Sequence, residues 1–193
     1  GLDRSDGPLQ VTALRELFEE TGVLLAAGSF DRAGLAEERR ALLSETHSFA
    51  EVLARLDAWL QPEALTPAGR WLTPPFIRTR FDTRFFVAMA PPEQTGLHDD
   101  REVIANLWIR PAEALRRHAA GDLELIFPTL RSLEDLARFG CAADAMSDAA
   151  ARGPIERIEP TVVEGDDRGL IRIAEDVYDG VTGQRVPEPT LPE

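Results

Sequence analysis

Apolar residues recur at helical spacing in two stretches of the chain. In the first, Val11, Leu14 and Phe18 fall on one face of a helix and the charged residues between them fall on the other. The second stretch precedes Pro62, and its apolar residues are Phe49, Val52, Leu53, Leu56, Trp59 and Leu60. The spacing predicts a first helix that buries its apolar face, and a helical insertion at about 35–61 between two core strands.

Runs of β-forming residues predict strands on both sides of this insertion. Residues 23–26 form a short apolar run, typical of a strand or of a return into the core. Longer strands are predicted over 78–89 and 103–109. Pro111 then opens a helix over 112–120, because proline suits the first helical turn.

A further amphipathic helix follows the predicted strands. Leu130, Leu133, Leu136 and Phe139 share one helical face, and Thr129 precedes them in a position to cap the helix. The pattern therefore predicts a helix that begins after Thr129.

The tail over 141–193 differs in composition from the domain over 1–140. Two alternating strands, 154–163 and 170–173, flank a turn rich in Gly and Asp, which predicts a C-terminal hairpin. Packing on its own domain is the default expectation for this extension. The alternative, completion of a neighbouring subunit's sheet in a homodimer, stays open.

Composition narrows the class of protein. The 193 residues, 44% hydrophobic and 28% charged, indicate a folded domain of ordinary core size. The formal net charge of −13 argues against nucleic acid or an anionic membrane as a partner. No apolar run approaches the roughly 20 residues that span a bilayer, and Cys141, the single cysteine, excludes an internal disulfide. We expect a cytoplasmic protein.

Three glutamates of the first predicted helix share one face. Glu16, Glu19 and Glu20 fall at i, i+3 and i+4, which brings their carboxylates within reach of one another. Three like charges repel, whereas Mg²⁺ prefers carboxylate oxygen and would make the cluster a site for a phosphate-bearing substrate. The competing interpretation is a solvated helix face with salt bridges.

Three arginines lie close together at the start of the strand predicted over 78–89. They are Arg78, Arg80 and Arg84. The planar guanidinium suits bidentate binding of phosphate, and an anionic ligand of so acidic a protein needs local positive charge. Alternation also places Asp82 on the same strand face as two of them, so structural pairing is an equal alternative.

The segment from Arg15 to Val23 resembles the C-terminal part of the Nudix box, G-x5-E-x7-R-E-U-x-E-E-x-G-U, where U is a bulky aliphatic residue. Every fixed position of that part matches. Upstream, the position of the first glutamate of the box holds Gly7. We therefore expect the glycine loop and the strand before it to lie N-terminal to Gly1.

Four later segments are similar to one branch of the Nudix hydrolases, the bacterial relatives of the peroxisomal coenzyme A diphosphatases. These segments are 71–74, 80–86, Glu102 with 107–109, and 127–130. The resemblance covers about residues 8 to 140. It implies an α/β fold, a Nudix α/β/α sandwich with a mixed sheet.

The resemblance also implies a reaction and its residues. It implies metal-dependent hydrolysis of a diphosphate linkage, with coenzyme A or an acyl-coenzyme A as the leading substrate. Mg²⁺ or Mn²⁺ would be held by Glu16, Glu19 and Glu20, and Arg15 would orient the glutamates. The general base, Glu16 or Glu102, stays open, as do two other functions: hydrolysis of ADP-ribose or NADH, and a non-catalytic Nudix-fold binding module.

Overall fold

The computed structural model describes residues 7–75, 77–94, 107–163, 169–180 and 182–187. Their helices are α1 (Gly7–Thr21), α2 (Arg32–Leu43), α3 (Phe49–Arg55), α4 (Pro111–Ala119), α5 (Phe127–Leu136) and α6 (Ala142–Ala151). Their strands are β1 (Ala26–Gly28), β2 (Ala58–Leu60), β3 (Thr66–Leu72), β4 (Asp82–Val87), β5 (Thr161–Val162), β6 (Leu170–Ile173), β7 (Asp176–Asp179) and β8 (Arg185–Val186). The predicted α/β class is confirmed. No helix in the described part of the chain is both long enough and apolar enough to cross a bilayer.

The strands form three small sheets. β1 pairs with β2 in antiparallel register, and β3 pairs with β4. The third sheet has the order β5-β6-β7-β8 and is antiparallel throughout. A parallel bridge joins Trp71 of β3 to Ile158, so strand segments of both orientations occur.

The chain divides into two compact units. The first unit comprises residues 1–66 and 88–108, and the second comprises 67–87 and 109–193. Within the second unit α6 is tied to α5, since Arg152 at the end of α6 donates to Asp135 over 2.6 Å. The boundary that we predicted at residue 140 stays a prediction.

The core of the first unit forms around α1, α2 and α3. Its buried side chains are Phe18, Leu24, Leu35, Leu42, Val52 and Leu56. On α1, Gln10, Leu14 and Phe18 are buried at intervals of four residues. Val11, which we expected in this face, is 42% exposed. The prediction failed because the buried stripe is centred on Leu14, and Val11 lies at its edge.

The end of α1 is marked by a glycine. Gly22 has a φ of +72° and its N–H donates to the carbonyl of Phe18 over 2.9 Å. A left-handed residue of this kind ends a helix, and glycine adopts it without a Cβ clash. The next residues, Val23 to Leu25, are buried, as expected of a return into the core, and the strand begins at Ala26.

The predicted insertion contains two helices, but its last residues form a strand. Ser48 and Glu51 make a reciprocal capping box at the start of α3. Trp59, which we assigned to a helix, lies in β2 opposite Ala27. The helix stops earlier because Asp57 takes a φ of 47°, which turns the chain into β2.

The C-terminal hairpin is confirmed and is larger than predicted. β5 and β6 pair through Thr161 and Arg172, and β7 and β8 extend the sheet to four strands. Most of the predicted turn, residues 164–168, lies outside the described residues. Val163, Leu170 and Val177 form a small core beneath this sheet.

Two predictions for the second half of the chain are wrong. Thr129 does not cap α5, because the helix already begins at Phe127 with Ile126 as its N-cap residue. Pro128 favours this earlier start, since the first turn of a helix needs no N–H from proline. The described part of the strand predicted over 103–109, residues 107–109, has no strand structure.

Candidate active site

The glutamates of the candidate site lie on the last two turns of α1. Glu16 and Glu20 are exposed, and the side chain of Glu19 is 25% exposed. Leu14 and Phe18, which are fully buried, hold the opposite side of the helix against the core. The helix therefore presents its carboxylates to solvent, where a charged ligand can reach them.

Arg15 is bonded to the carboxylate of Glu19, one helical turn away. Its Nη1 donates to both carboxylate oxygens over 2.6 Å, and its Nη2 lies 3.5 Å from Oε1 of Glu16. A partly exposed pair at this spacing contributes about 0.3–0.5 kcal/mol. The contact holds the carboxylate of Glu19 beside Arg15, and a role of Arg15 in orienting the glutamates stays a prediction.

The donor set suits a divalent cation by its chemistry. Mg²⁺ and Mn²⁺ prefer carboxylate oxygen. A carboxylate has about four lone-pair sites, so Glu19 can accept from Arg15 and still ligate an ion. However, the described residues contain no group of three acidic, histidine or cysteine side chains already gathered to hold a metal. The metal assignment therefore stays a prediction that rests on residue type and spacing.

The C-terminal end of α1 is held by a residue that the sequence analysis missed. Arg39 of α2 is 6% exposed, and its guanidinium donates to the carbonyls of Phe18, Glu19 and Glu20. The sequence carried no signal for this contact, because the acceptors are backbone atoms that any residue supplies.

Gln94 ties another segment to the exit of α1. Its side-chain amide accepts from the N–H of Leu24 over 2.8 Å and donates to the carbonyl of Leu24 over 3.0 Å. The two hydrogen bonds resemble those between paired strands, and they connect Gln94 to the segment that follows α1. The candidate base Glu102 follows in sequence but lies outside the described residues.

In the second unit, Asp82 and Arg80 pair with residues other than each other. Asp82 is bonded to Arg70 on β3, with Nε to Oδ1 at 2.8 Å. This bond holds the pKa of Asp82 below its ordinary value, and the nearby charge of Arg84 contributes. Arg80 precedes β4, donates to the carbonyl of Thr73 over 2.8 Å and pairs with Glu159.

The remaining arginine of this group, Arg78, is exposed in the turn between β3 and β4. Arg80 and Asp82 thus have structural partners, but Asp82 pairs with Arg70 and Arg80 pairs with Glu159, whereas the second of our two interpretations paired Asp82 with the arginines of its own strand. A role of Arg78, Arg80 or Arg84 in substrate binding stays a prediction.

Comparison with known proteins gives the family. The sequence model of the NUDT19 Nudix domain matches residues 4–136. A solved structure, the Nudix hydrolase from Alicyclobacillus acidocaldarius, superposes with a TM-score of 0.67 and 30% identity. The superposition covers 76% of this chain and 68% of that chain.

Two curated relatives bear the name acyl-coenzyme A diphosphatase NUDT19. The Homo sapiens protein is 31% identical over 156 residues, which is 72% of this chain and 41% of that protein. The Gallus gallus protein is 30% identical over 196 residues, covering 85% of this chain and 50% of that protein. The chain thus spans half or less of these relatives. Because the Nudix domain model matches most of this chain, the chain belongs to the Nudix hydrolase family.

Proposed function

We propose that this chain is a metal-dependent Nudix hydrolase that cleaves the diphosphate linkage of coenzyme A or an acyl-coenzyme A. The observation that carries the proposal is the segment from Arg15 to Val23, which matches the C-terminal part of the box and whose glutamates lie on the solvent side of the end of α1. The match to the NUDT19 Nudix domain supports the reaction class. The name of the curated relatives supports the choice of substrate.

Glu16, Glu19 and Glu20 are the residues that would hold Mg²⁺ or Mn²⁺. When bound, such an ion neutralises diphosphate charge and lowers the pKa of a coordinated water. Arg15 keeps the carboxylate of Glu19 in a fixed orientation through its two 2.6 Å contacts. This preorganisation reduces the reorientation that substrate binding requires.

A general base must take a proton from the attacking water. Glu16 suits this role because its side chain is 54% exposed and lies only at the margin of bonding distance from Arg15. Glu102 is the other candidate. In either case water attacks one phosphorus, the bridging P–O bond breaks, and two phosphate monoesters leave.

Substrate binding is proposed for Arg78, Arg80 and Arg84. Arg78 is exposed, so its guanidinium is open to solvent. Arg80 and Arg84 would add positive charge in a chain of net charge −13, where an anionic substrate otherwise meets repulsion.

The test is a panel of diphosphates assayed with Mg²⁺ and with Mn²⁺. The panel contains coenzyme A, an acyl-coenzyme A, ADP-ribose and NADH. We expect the highest kcat/KM with coenzyme A or its thioester. A higher value with ADP-ribose or NADH would transfer the assignment to that substrate, and no hydrolysis of any compound would indicate a binding module.

A further inference from the structure

Two adjacent charged residues of α2 are buried, which is unusual for a helix of this composition. Glu38 is 5% exposed and Arg39 is 6% exposed. Charged side chains are rarely buried unless they are paired or hydrogen-bonded. The two side chains form hydrogen bonds with different neighbours, and together they connect α2 to other parts of the first unit.

Glu38 braces α2 against α3 and the loop that precedes it. Its Oε1 accepts from Nε of Arg55 over 2.6 Å, and its Oε2 lies 2.9 Å from Nδ1 of His47. The carboxylate is therefore bonded on both oxygens. These contacts link α3 and the loop before it to α2, the helix that also carries Arg39.

Arg39 bonds the end of α1. Its Nε lies 3.1 Å from the carbonyl oxygen of Phe18 and 3.0 Å from that of Glu19. Its Nη2 lies 2.8 Å from the carbonyl oxygen of Glu19 and 2.9 Å from that of Glu20. One guanidinium thus satisfies three successive carbonyls.

The carbonyls of Glu19 and Glu20 lie in the last turn, where the helix no longer supplies backbone N–H donors, whereas that of Phe18 also accepts from the N–H of Gly22. They also form the negative end of the helix dipole, where a positive charge is stabilising. Gly22 lies beside this contact, since an added Cβ would meet Cδ of Arg39 at 3.4 Å, an ordinary van der Waals distance. The last turn of α1 is therefore held by a charge from another helix and packed closely against it.

We propose that Arg39 is a positioning residue for the metal-binding glutamates. Two of the carbonyls that it holds belong to Glu19 and Glu20, so it fixes the backbone from which these carboxylates project. Without it the last turn would fray and the carboxylates would lose their common orientation. The inference rests on the proposed function, because it assumes that these glutamates bind a cation.

The experiment compares variants of the full chain. Arg39→Met removes the charge and the donors, and Arg39→Lys keeps the charge but loses the planar fork. Arg40→Met is the matched control, because Arg40 is the next residue of α2, is exposed and donates to Ala36 of its own helix. The readouts are Mn²⁺ affinity by electron paramagnetic resonance, kcat and KM, and hydrogen exchange at the end of α1. All are measured at a temperature where each variant is folded.

We expect Arg39→Met to weaken Mn²⁺ binding by about 10- to 100-fold, the usual effect of losing a group that orients metal ligands. Hydrogen exchange should rise in the last turn of α1, and kcat should fall more than KM rises. The Lys variant should lie between wild type and the Met variant. Arg40→Met should match wild type in every readout.

Wild-type Mn²⁺ affinity and kcat in Arg39→Met, even with a lower Tm, would overturn the proposal and leave Arg39 as a stabilising residue. If the Met variant does not fold, Arg39→Lys decides: weakened Mn²⁺ binding supports the proposal, and wild-type affinity overturns it. A wild-type chain that binds Mn²⁺ but cleaves no diphosphate would refute the proposed function alone. The Mn²⁺ affinity of the Arg39 variants would then still test the role of Arg39. A wild-type chain that binds no Mn²⁺ refutes both.

Discussion

Arg39 of α2 and Arg80 before β4 both donate hydrogen bonds, but they differ in burial. Arg39 is 6% exposed and donates to carbonyls at the end of α1. The side chain of Arg80 is 37% exposed and bonds Thr73 and Glu159. If Arg80 is lost, water can replace it, whereas loss of Arg39 removes the donor of bonds that are buried at Phe18 and part-buried at Glu19 and Glu20. Burial thus decides which of two similar arginines is costly to remove.

The same contrast applies to the acidic residues of the first unit. The glutamates of α1 face solvent, where chemistry can use them, and Glu38 of α2 is buried, where it braces the helices. Substitutions should therefore separate the two sets by what they change. Loss of an α1 glutamate should reduce activity, and loss of Glu38 should reduce stability.

The largest expected effect is on activity. Glu19→Gln and Glu20→Gln should each lower kcat/KM at least about 100-fold, or about 2.7 kcal/mol of transition-state stabilisation, because the amide is a poorer ligand than the carboxylate. Steady-state kinetics at saturating Mg²⁺ provides the measurement. Turnover equal to wild type in both variants would contradict the site assignment. Glu37→Gln, an exposed glutamate of α2, serves as the control.

The next effect is on stability. Glu38→Gln should lower the free energy of unfolding by about 2 kcal/mol, because the bonds from Arg55 and His47 lose their charged acceptor. Urea unfolding measures the difference, and Glu37→Gln should leave it unchanged. A loss equal to that of the control would show that the brace is not stabilising.

The contribution of Glu38 should also depend on pH. Burial raises the pKa of this carboxyl, but hydrogen bonds from Arg55 and His47 outweigh it and lower the pKa below 4.5. A folded-state pKa below the unfolded value stabilises the fold above pH 4.5 and ceases to do so as pH falls through the folded value. The stability difference between wild type and Glu38→Gln should therefore shrink below that pH in unfolding experiments. A constant difference down to pH 2 would contradict the ion-pair account.

How much of the structure the sequence alone predicts depends on how far apart in sequence the contacting residues lie. The helix α1 and its burial of Leu14 and Phe18 depend on residues within a few turns, and the sequence predicts both. The hydrogen bonds of Arg39 to the end of α1 join residues about twenty positions apart. Their acceptors are backbone carbonyls, which every residue has, so no residue type indicates the contact. Trp59 was misassigned for a related reason, since its pairing with β1 overrides a local helical pattern.

The smallest expected effect concerns Arg78, Arg80 and Arg84. The substitution Arg80→Ala should lower the free energy of unfolding by less than about 1 kcal/mol, because the ion pair between Arg80 and Glu159 is partly exposed. If Arg78, Arg80 or Arg84 contacts phosphate, its alanine variant should raise KM for a coenzyme A substrate with little change in Tm. Unchanged kinetics in all three variants would leave these arginines as parts of the scaffold.

The most direct test of the central claim is the position of a bound ion on α1. A crystal of the chain soaked in Mn²⁺ can be measured at a wavelength where manganese scatters anomalously. The account predicts an anomalous peak coordinated by carboxylate oxygens of Glu16, Glu19 and Glu20. A peak elsewhere, or none at a Mn²⁺ concentration that supports hydrolysis, would contradict it.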